Sequence, residues 1–349
     1  MAASIYDIAR RLNLSAMTVS RALNQNEKSY VSPETRRRVM QAARELGYTP
    51  NRNARALVTK KTNAISVWID HLHSSVYAQI AEACRSQIQS AGYDVNICEM
   101  GWHFQEPAKY HRAEWAVDGV IAVDPPSEPE LNEYLNLLPA KPLLRVNIGS
   151  GHGVVWSGDY VRVDLQSGTR AAVKHLIDSG CRRIAYATPS WVNRAGLGNF
   201  SDFTDTVAAA GLIPEYIHHS DWSLPGIRAS TRDYIASHGA PDGIYCHYDE
   251  IAIASFRAIR DLDLKIPEDV MIIGCEGNEF MAYFDPPLST IAIPVNEMCT
   301  KAWQLLQRRM ADVHAPAEAL MLSYEFYNRE SSTRLSLGND SPCTPPGSY

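Results

Sequence analysis

The sequence predicts an N-terminal all-α headpiece built on a helix-turn-helix, followed by an α/β core of two doubly wound lobes. Three observations carry this reading. Two short helical patterns meet at a sharp turn within residues 5–23. From Ala64 onward, buried strand patterns alternate with helical ones, and the alternation runs twice. Charge divides along the same line. Residues 1–61 hold twelve Lys and Arg against four Asp and Glu, a net +8, while the rest hold 21 against 35, a net −14. A basic head on an acidic body suits a protein that touches a polyanion with one end only.

The head begins with Ile5, Ile8, Ala9 and Leu12, which fall on one helical face. Asn13 stands where the chain must turn, and Asn tolerates positive φ better than most residues with a Cβ. Ser15 is an N-cap for a second helix. That helix buries Val19, Ala22 and Leu23 and turns Met17, Thr18 and Arg21 outward. Two short helices in this arrangement present the second one to a DNA major groove. Ser32-Pro33-Glu34-Thr35 opens a third helix, with Ser32 as cap and Pro33 in the first position. Arg36, Arg37 and Arg38 follow on a solvated face that can attract phosphate. Pro50 ends a headpiece of residues 1–49, and 50–62 read as a linker too short to hold a helix alone.

The body opens on the strand Ala64–Ile69. Further strands are predicted at Val95–Cys98, Gly119–Val123, Leu143–Asn147, Arg183–Ala187, Gly243–Cys246 and Val270–Gly274. Helical patterns lie between them, among them Tyr77–Ala91, Ser167–Ser179 and Asp249–Leu262. Strand–helix alternation predicts parallel sheets with helices on both faces. The first lobe is expected over 63–162 and 291–320, and the second over 163–290 and 321–335. The closing piece supplies a long helix near Val295–Asp312 and two short strands. Residues 338–349 are polar and Pro-rich, as in a disordered tail.

Composition narrows the function. No charged-then-apolar leader and no apolar run long enough to span a bilayer is present, so a membrane partner is not expected. The seven cysteines are scattered without a C-x-x-C pair, which argues for reduced thiols in a cytoplasm and against a disulfide framework or zinc cluster. His71 and His73 stand close together but lack companions at ligand spacing, and read as a polar loop. Gly149-Ser150-Gly151-His152-Gly153 follows a strand without opening into a helix, so it reads as a flexible connection rather than a phosphate loop. No G-x-S-x-G, H-E-x-x-H or similar catalytic spacing occurs. No metal, no cofactor and no enzymatic activity are expected.

Three stretches of the head add a resemblance. Leu14 to Asn24 reads LSAMTVSRALN, Tyr30 to Arg36 reads YVSPETR, and Leu46 to Leu57 reads LGYTPNRNARAL. In this order and spacing they resemble the headpiece of the lactose-repressor (LacI/GalR) family, and a weaker resemblance runs on to about Thr333. It implies binding to double-stranded operator DNA as a homodimer, with a tetramer as the larger alternative. Ser15, Ala16, Met17, Thr18, Ser20, Arg21 and Asn24 are the implied DNA-facing residues. Ala16 and Met17 occupy the positions where family members differ in base choice and can meet thymine methyls. Arg21 can pair bidentately with guanine, and Thr18, Ser20 and Asn24 suit phosphate. In the family the linker orders on DNA, which implicates Asn51, Ala54 and Leu57, the leucine as a wedge between base steps in the minor groove.

The same resemblance implies a periplasmic-binding-protein type I core with three crossovers and a ligand cleft at the strand C-terminal ends. Tyr77, Asp164, Asn199, Trp222, Tyr248, Asp249 and Glu276 fall at positions that line the family's cleft. Several depart from its usual residues. Asn199 stands for an Arg, Tyr248 for the Asn of an N-D pair, and Glu276 for an Asp. Asp249 can alternatively cap the helix that follows it, and Trp222 can pack in a core. An aromatic ring with several carboxylates suits a polyhydroxylated ligand, so the expected effector is a neutral sugar. The expected function is a ligand-responsive transcriptional regulator, most simply a repressor. The competing reading is a cytoplasmic small-molecule binding protein or enzyme whose basic head has another use.

Overall fold

The computed structural model describes residues 3–23, 31–48, 61–72, 74–101, 117–127, 129–131, 143–149, 154, 156–192, 198–221 and 223–334. The chain divides into two compact units, Met1–Thr62 and Asn63–Tyr349. Asn24, Asn51, Ala54, Leu57, Trp222 and the tail from 338 lie outside the described residues.

In the first unit, α1 (Ile5–Leu12), α2 (Ala16–Leu23) and α3 (Pro33–Glu45) pack around Ile8, Ala9, Val19, Ala22, Val39, Ala42 and Ala43. Local chemistry sets each boundary. Ser4 and Asp7 form a reciprocal capping box at the start of α1, and Asn13 ends it in the left-handed region at φ 50°. Ser15 Oγ accepts from Thr18 N at 3.1 Å, and Ser32 Oγ from Thr35 N at 3.2 Å. Arg11 and Glu45 form an ion pair that ties α1 to the end of α3.

Among the described residues the second unit holds two six-stranded sheets. Sheet one contains β1 (Ala64–Ile69), β2 (Asp94–Glu99), β3 (Gly119–Val123), β4 (Arg145–Gly149), β5 (Asp159–Val163) and β11 (Ala319–Leu322). Its order is β11-β5-β4-β3-β1-β2, parallel throughout. Helices α4 (Ser75–Ser90) and α9 (Val295–Ala311) pack together in this lobe. Sheet two contains β6 (Ile184–Pro189), β7 (Glu215–His219), β8 (Gly243–Cys246), β9 (Met271–Glu276), β10 (Ser289–Ala292) and β12 (Glu325–Tyr327). Its order is β12-β10-β9-β8-β6-β7, with only β12 antiparallel. Helices α5 (Leu165–Asp178), α6 (Gly198–Ala209), α7 (Leu224–His238) and α8 (Asp249–Asp261) flank it.

The chain crosses between the sheets after β5, β10 and β11. The second and third crossings fall slightly beyond the boundaries drawn from the sequence at 290 and 320. Pairing is the reason: β10 stays in register with β9 through Ala292, and β11 with β5 through Leu322, before the chain leaves each sheet. Strand β4 likewise lies two residues beyond the pattern at Leu143–Asn147, because its partners begin at Val120 and Asp159.

Candidate DNA-reading head and ligand cleft

On the head, α2 buries Val19 and Ala22 against α1 and α3 and leaves Met17 and Arg21 exposed one turn apart. Met17 is 62% exposed, far more than a methionine held for packing. Ala16, Thr18 and Ser20 are half-buried, and Ser15 is exposed. The hydroxyls of Ser15 and Thr18 hydrogen-bond to each other at 2.8 Å. Both therefore serve the helix start first, and a phosphate would share a hydroxyl already engaged.

In the body, parallel sheets place every strand's C-terminal end on one edge, where the loops carry side chains toward a common space. Four such ends matter here. Asp70 follows β1, Asp124 follows β3, Tyr248 follows β8 and Glu276 ends β9. Tyr77, on the first turn of α4, joins them, with its ring 5.3 Å from that of His71 in an edge contact. Burial pushes the Tyr77 phenol well above its usual range, and Asp124, Tyr248, Asp70 and Glu276 add to this. Tyr248 is raised in the same way by burial, then by Glu276 and Asp124. Tyr77 and Tyr248 therefore both lie within electrostatic reach of Glu276, Asp70 and Asp124.

Glu276 is the most constrained member. Its backbone sits at φ 111°, a region that disfavours side chains. Its Oε2 is buried without a hydrogen-bond partner among the described residues. Burial raises its carboxyl well above the usual range, and the charges of Glu250, Asp249 and Asp124 raise it further. A carboxyl in this state favours its protonated form, which can both donate to and accept from a hydroxyl.

Asp249 plays a different part from the one its position suggests. It is fully buried, and both oxygens are engaged, Oδ2 by Asn278 N at 2.6 Å and Oδ1 by Thr290 Oγ1 at 2.7 Å. Burial pushes its carboxyl up to about 8, against the lowering effect of those hydrogen bonds. It does not cap the helix it begins: Tyr248 is the cap residue, and no side-chain cap bond is made. Asp249 instead anchors the turn that carries Glu276 and Asn278. Asp164 is occupied as well, capping α5 through Ser167 N at 3.0 Å, and its charge acts on Asp202. Asn199 is buried at the start of α6.

Asp70 and Asp124 were not singled out from the sequence. The available signal was an Asp directly after a buried strand, in Trp68-Ile69-Asp70 and Ala122-Val123-Asp124. Among the described residues no cluster of three or more His, Cys, Asp or Glu is placed to hold a metal, and no helix is long and apolar enough to cross a membrane.

A helix-turn-helix head and a two-lobed α/β body fit one class: DNA-binding transcription regulators with a periplasmic-binding-protein-like domain. Residues 4–51 match the bacterial regulatory proteins of the lacI family, and residues 173–332 match a periplasmic binding protein-like domain. A transcriptional regulator RegA of Clostridium saccharobutylicum is 27% identical over 95% of this chain and 100% of its own. Two solved structures share the fold at 22% identity. The lac repressor dimer bound to operator and the anti-inducer ONPF has a TM-score of 0.78, covering 96% of this chain and 100% of that one. The regulator CelR in complex with cellobiose has a TM-score of 0.62, covering 94% and 99%. The chain thus pairs a head that matches the lacI-family model with a body that matches a periplasmic binding protein-like domain.

Proposed function

We propose that this protein is a cytoplasmic LacI-family repressor that binds a pseudo-palindromic operator as a dimer and releases or grips it according to a neutral sugar in the interlobe cleft. The carrying observation is Glu276, whose buried Oε2 lacks a partner among the described residues and which acts electrostatically on Tyr77 and Tyr248. A hydroxyl of a sugar supplies that partner, and a flat sugar face packs on a phenol ring. The cellobiose bound by CelR is consistent with the same ligand class. Charge speaks against an anion, since the strongest charges acting on Glu276 are carboxylates.

On the DNA side, Met17 and Arg21 meet base edges from α2, with Ala16 beside them. Ser15, Thr18, Ser20 and Asn24 hold the backbone, and Asn51, Ala54 and Leu57 act in the minor groove. A thermal-shift screen with neutral sugars, sugar phosphates and nucleobases tests the effector half. A ligand of the folded body stabilises it by about 2.7 kcal/mol at 100 times Kd. The reading expects a neutral sugar to shift the melting temperature, and a shift from sugar phosphates alone would refute it. The DNA half is tested by selecting a binding site from random sequence, where the selected site should be two-fold related.

A further inference from the structure

Helix α4 lacks a local cap. Its cap residue, Ser74, makes no side-chain hydrogen bond to the helix start. The exposed donors of a helix N-terminus need an acceptor, ideally an anionic one. Here the acceptor comes from the other lobe. Glu250, in the first turn of α8, accepts from Ser75 N at 2.9 Å and from Ser75 Oγ at 2.7 Å. Its carboxylate thus lies at the positive ends of two helices, one in each lobe.

A third residue completes the bridge. Asn278 Nδ2 donates to Ser75 Oγ at 2.8 Å. Asn278 is itself fixed from behind, with its backbone N on Asp249 at 2.6 Å and its Oδ1 accepting from Phe280 N at 2.9 Å. The Ser75 hydroxyl therefore donates to Glu250 and accepts from Asn278, two groups of lobe two, one on the first turn of α8 and one on the turn after β9. These partners lie 175 and 203 residues away along the chain.

The bridge is interleaved with the cleft. Ser75 is two residues before Tyr77, Glu250 two after Tyr248, and Asn278 two after Glu276. Glu250 is also the first charge among those that raise the Glu276 carboxyl. Any movement of the lobes that separates Ser75 from Glu250 and Asn278 must move Tyr77 away from Tyr248 and Glu276.

We propose that Ser75, Glu250 and Asn278 form an interlobe latch that sets how readily the two lobes separate, and so how much of the closing step a cleft ligand must itself drive. This regulatory role rests on the cleft being the effector site, but the latch itself needs no ligand to test. A charge-assisted hydrogen bond is stronger than a neutral one, so the Glu250 limb dominates. Ser75, Glu250 and Asn278 act as positioning residues, not ligand contacts.

The experiment is hydrogen exchange of the full chain without added ligand, for the wild type and for Ser75→Ala, Glu250→Gln and Asn278→Asp. The last variant keeps the Oδ1 acceptor for Phe280 N, replaces the amide donor to Ser75, and adds a carboxyl beside Glu250 that also pushes against the bridge. If the latch operates, Ser75→Ala in lobe one speeds exchange about tenfold or more in lobe two, over 249–253 and 276–280. Glu250→Gln and Asn278→Asp do the same at 75–79 in lobe one. Ser75→Thr, which retains the hydroxyl, should keep wild-type exchange. Changes confined to the lobe that carries each substitution would overturn the latch. That failure leaves the effector reading standing, whereas a failed ligand screen leaves the latch intact.

Discussion

The Asp249 carboxylate occupies the space that a side chain on Gly274 would fill. A Cβ built on Gly274 would overlap Asp249 Oδ1 and come within 2.7 Å of Met281 Cε. The first lobe repeats the arrangement, where a Cβ on Gly149 would overlap Asp124 Oδ1. In each lobe a strand glycine makes room for the Asp that follows the neighbouring strand, β8 beside β9 and β3 beside β4. Gly274→Ala should therefore destabilise the body by about 1–3 kcal/mol through overpacking. Displacement of a buried, hydrogen-bonded carboxyl adds to that cost. The denaturant midpoint of the body measures it, and an unchanged midpoint would mean that Asp249 is free to swing aside.

Arg21 is exposed on α2 and can reach a base or a phosphate. Replacement by Ala should cost roughly 1–3 kcal/mol on the selected operator and relax base choice at one position per half-site. The discriminating measurement compares the selected site with random DNA across a salt series. Equal losses on both, with a shallower salt slope, would assign Arg21 to the backbone instead.

The head was legible from sequence because its determinants are local. The Asn13 turn and the Ser15 and Ser32 caps act within a few residues, and each forms as the spacing predicts. Strands with continuous burial, such as β3 and β8, were equally plain. Strand β7 was not, because it lies at the sheet edge and only Ile217 and His219 of its five residues are buried. The grouping of side chains at the strand ends was legible in part. Tyr248 and Glu276 meet because β8 and β9 are neighbours, which no local pattern encodes. The roles of Asp249 and Asn278 depend on partners far along the chain, and their residue types alone point equally to caps, ligand contacts or anchors.

His219 provides a pH test. It is buried at the end of β7, and neither ring nitrogen has a hydrogen-bond partner among the described residues. Burial lowers its pKa to about 4, with His218 contributing. The unfolded chain, with a histidine near 6.5, takes up the proton first as pH falls. The stability tied to a neutral His219 is thus complete above about pH 6.5 and lost toward about pH 4, a change of about 3 kcal/mol. Asp249 acts oppositely: its carboxyl, raised to about 8, contributes stability that is present at low pH and lost as pH rises through that value. Melting temperatures of the wild type and His219→Phe between pH 4.5 and 7.5 isolate the histidine by difference. The variant should lose less stability on acidification, and parallel profiles would show that His219 is not titrating alone.

The last prediction concerns the effector and follows from the charges around Glu276. The groups acting most strongly on Tyr77, Tyr248 and Glu276 are carboxylates and two phenols. A phosphate placed among them would meet like charge in a poorly solvated site, whereas neutral hydroxyls would not. Calorimetric titration of the protein should therefore show binding of a neutral sugar and none of its phosphate. The state of Glu276 refines the expectation. Burial and neighbouring charge push the carboxyl toward its protonated form, and glutamine copies the shape of that form and its ability to donate and accept. Glu276→Gln should then retain most of the affinity. Glu276→Ala should lose about tenfold or more, because a ligand hydroxyl is left unpaired in the cleft. Tyr248→Ala should weaken binding too, through loss of the ring face, and Trp222→Ala tests whether a second ring shares that role. Tight binding of a sugar phosphate, or equal affinity for the wild type and Glu276→Ala, would place the ligand elsewhere than against this carboxyl.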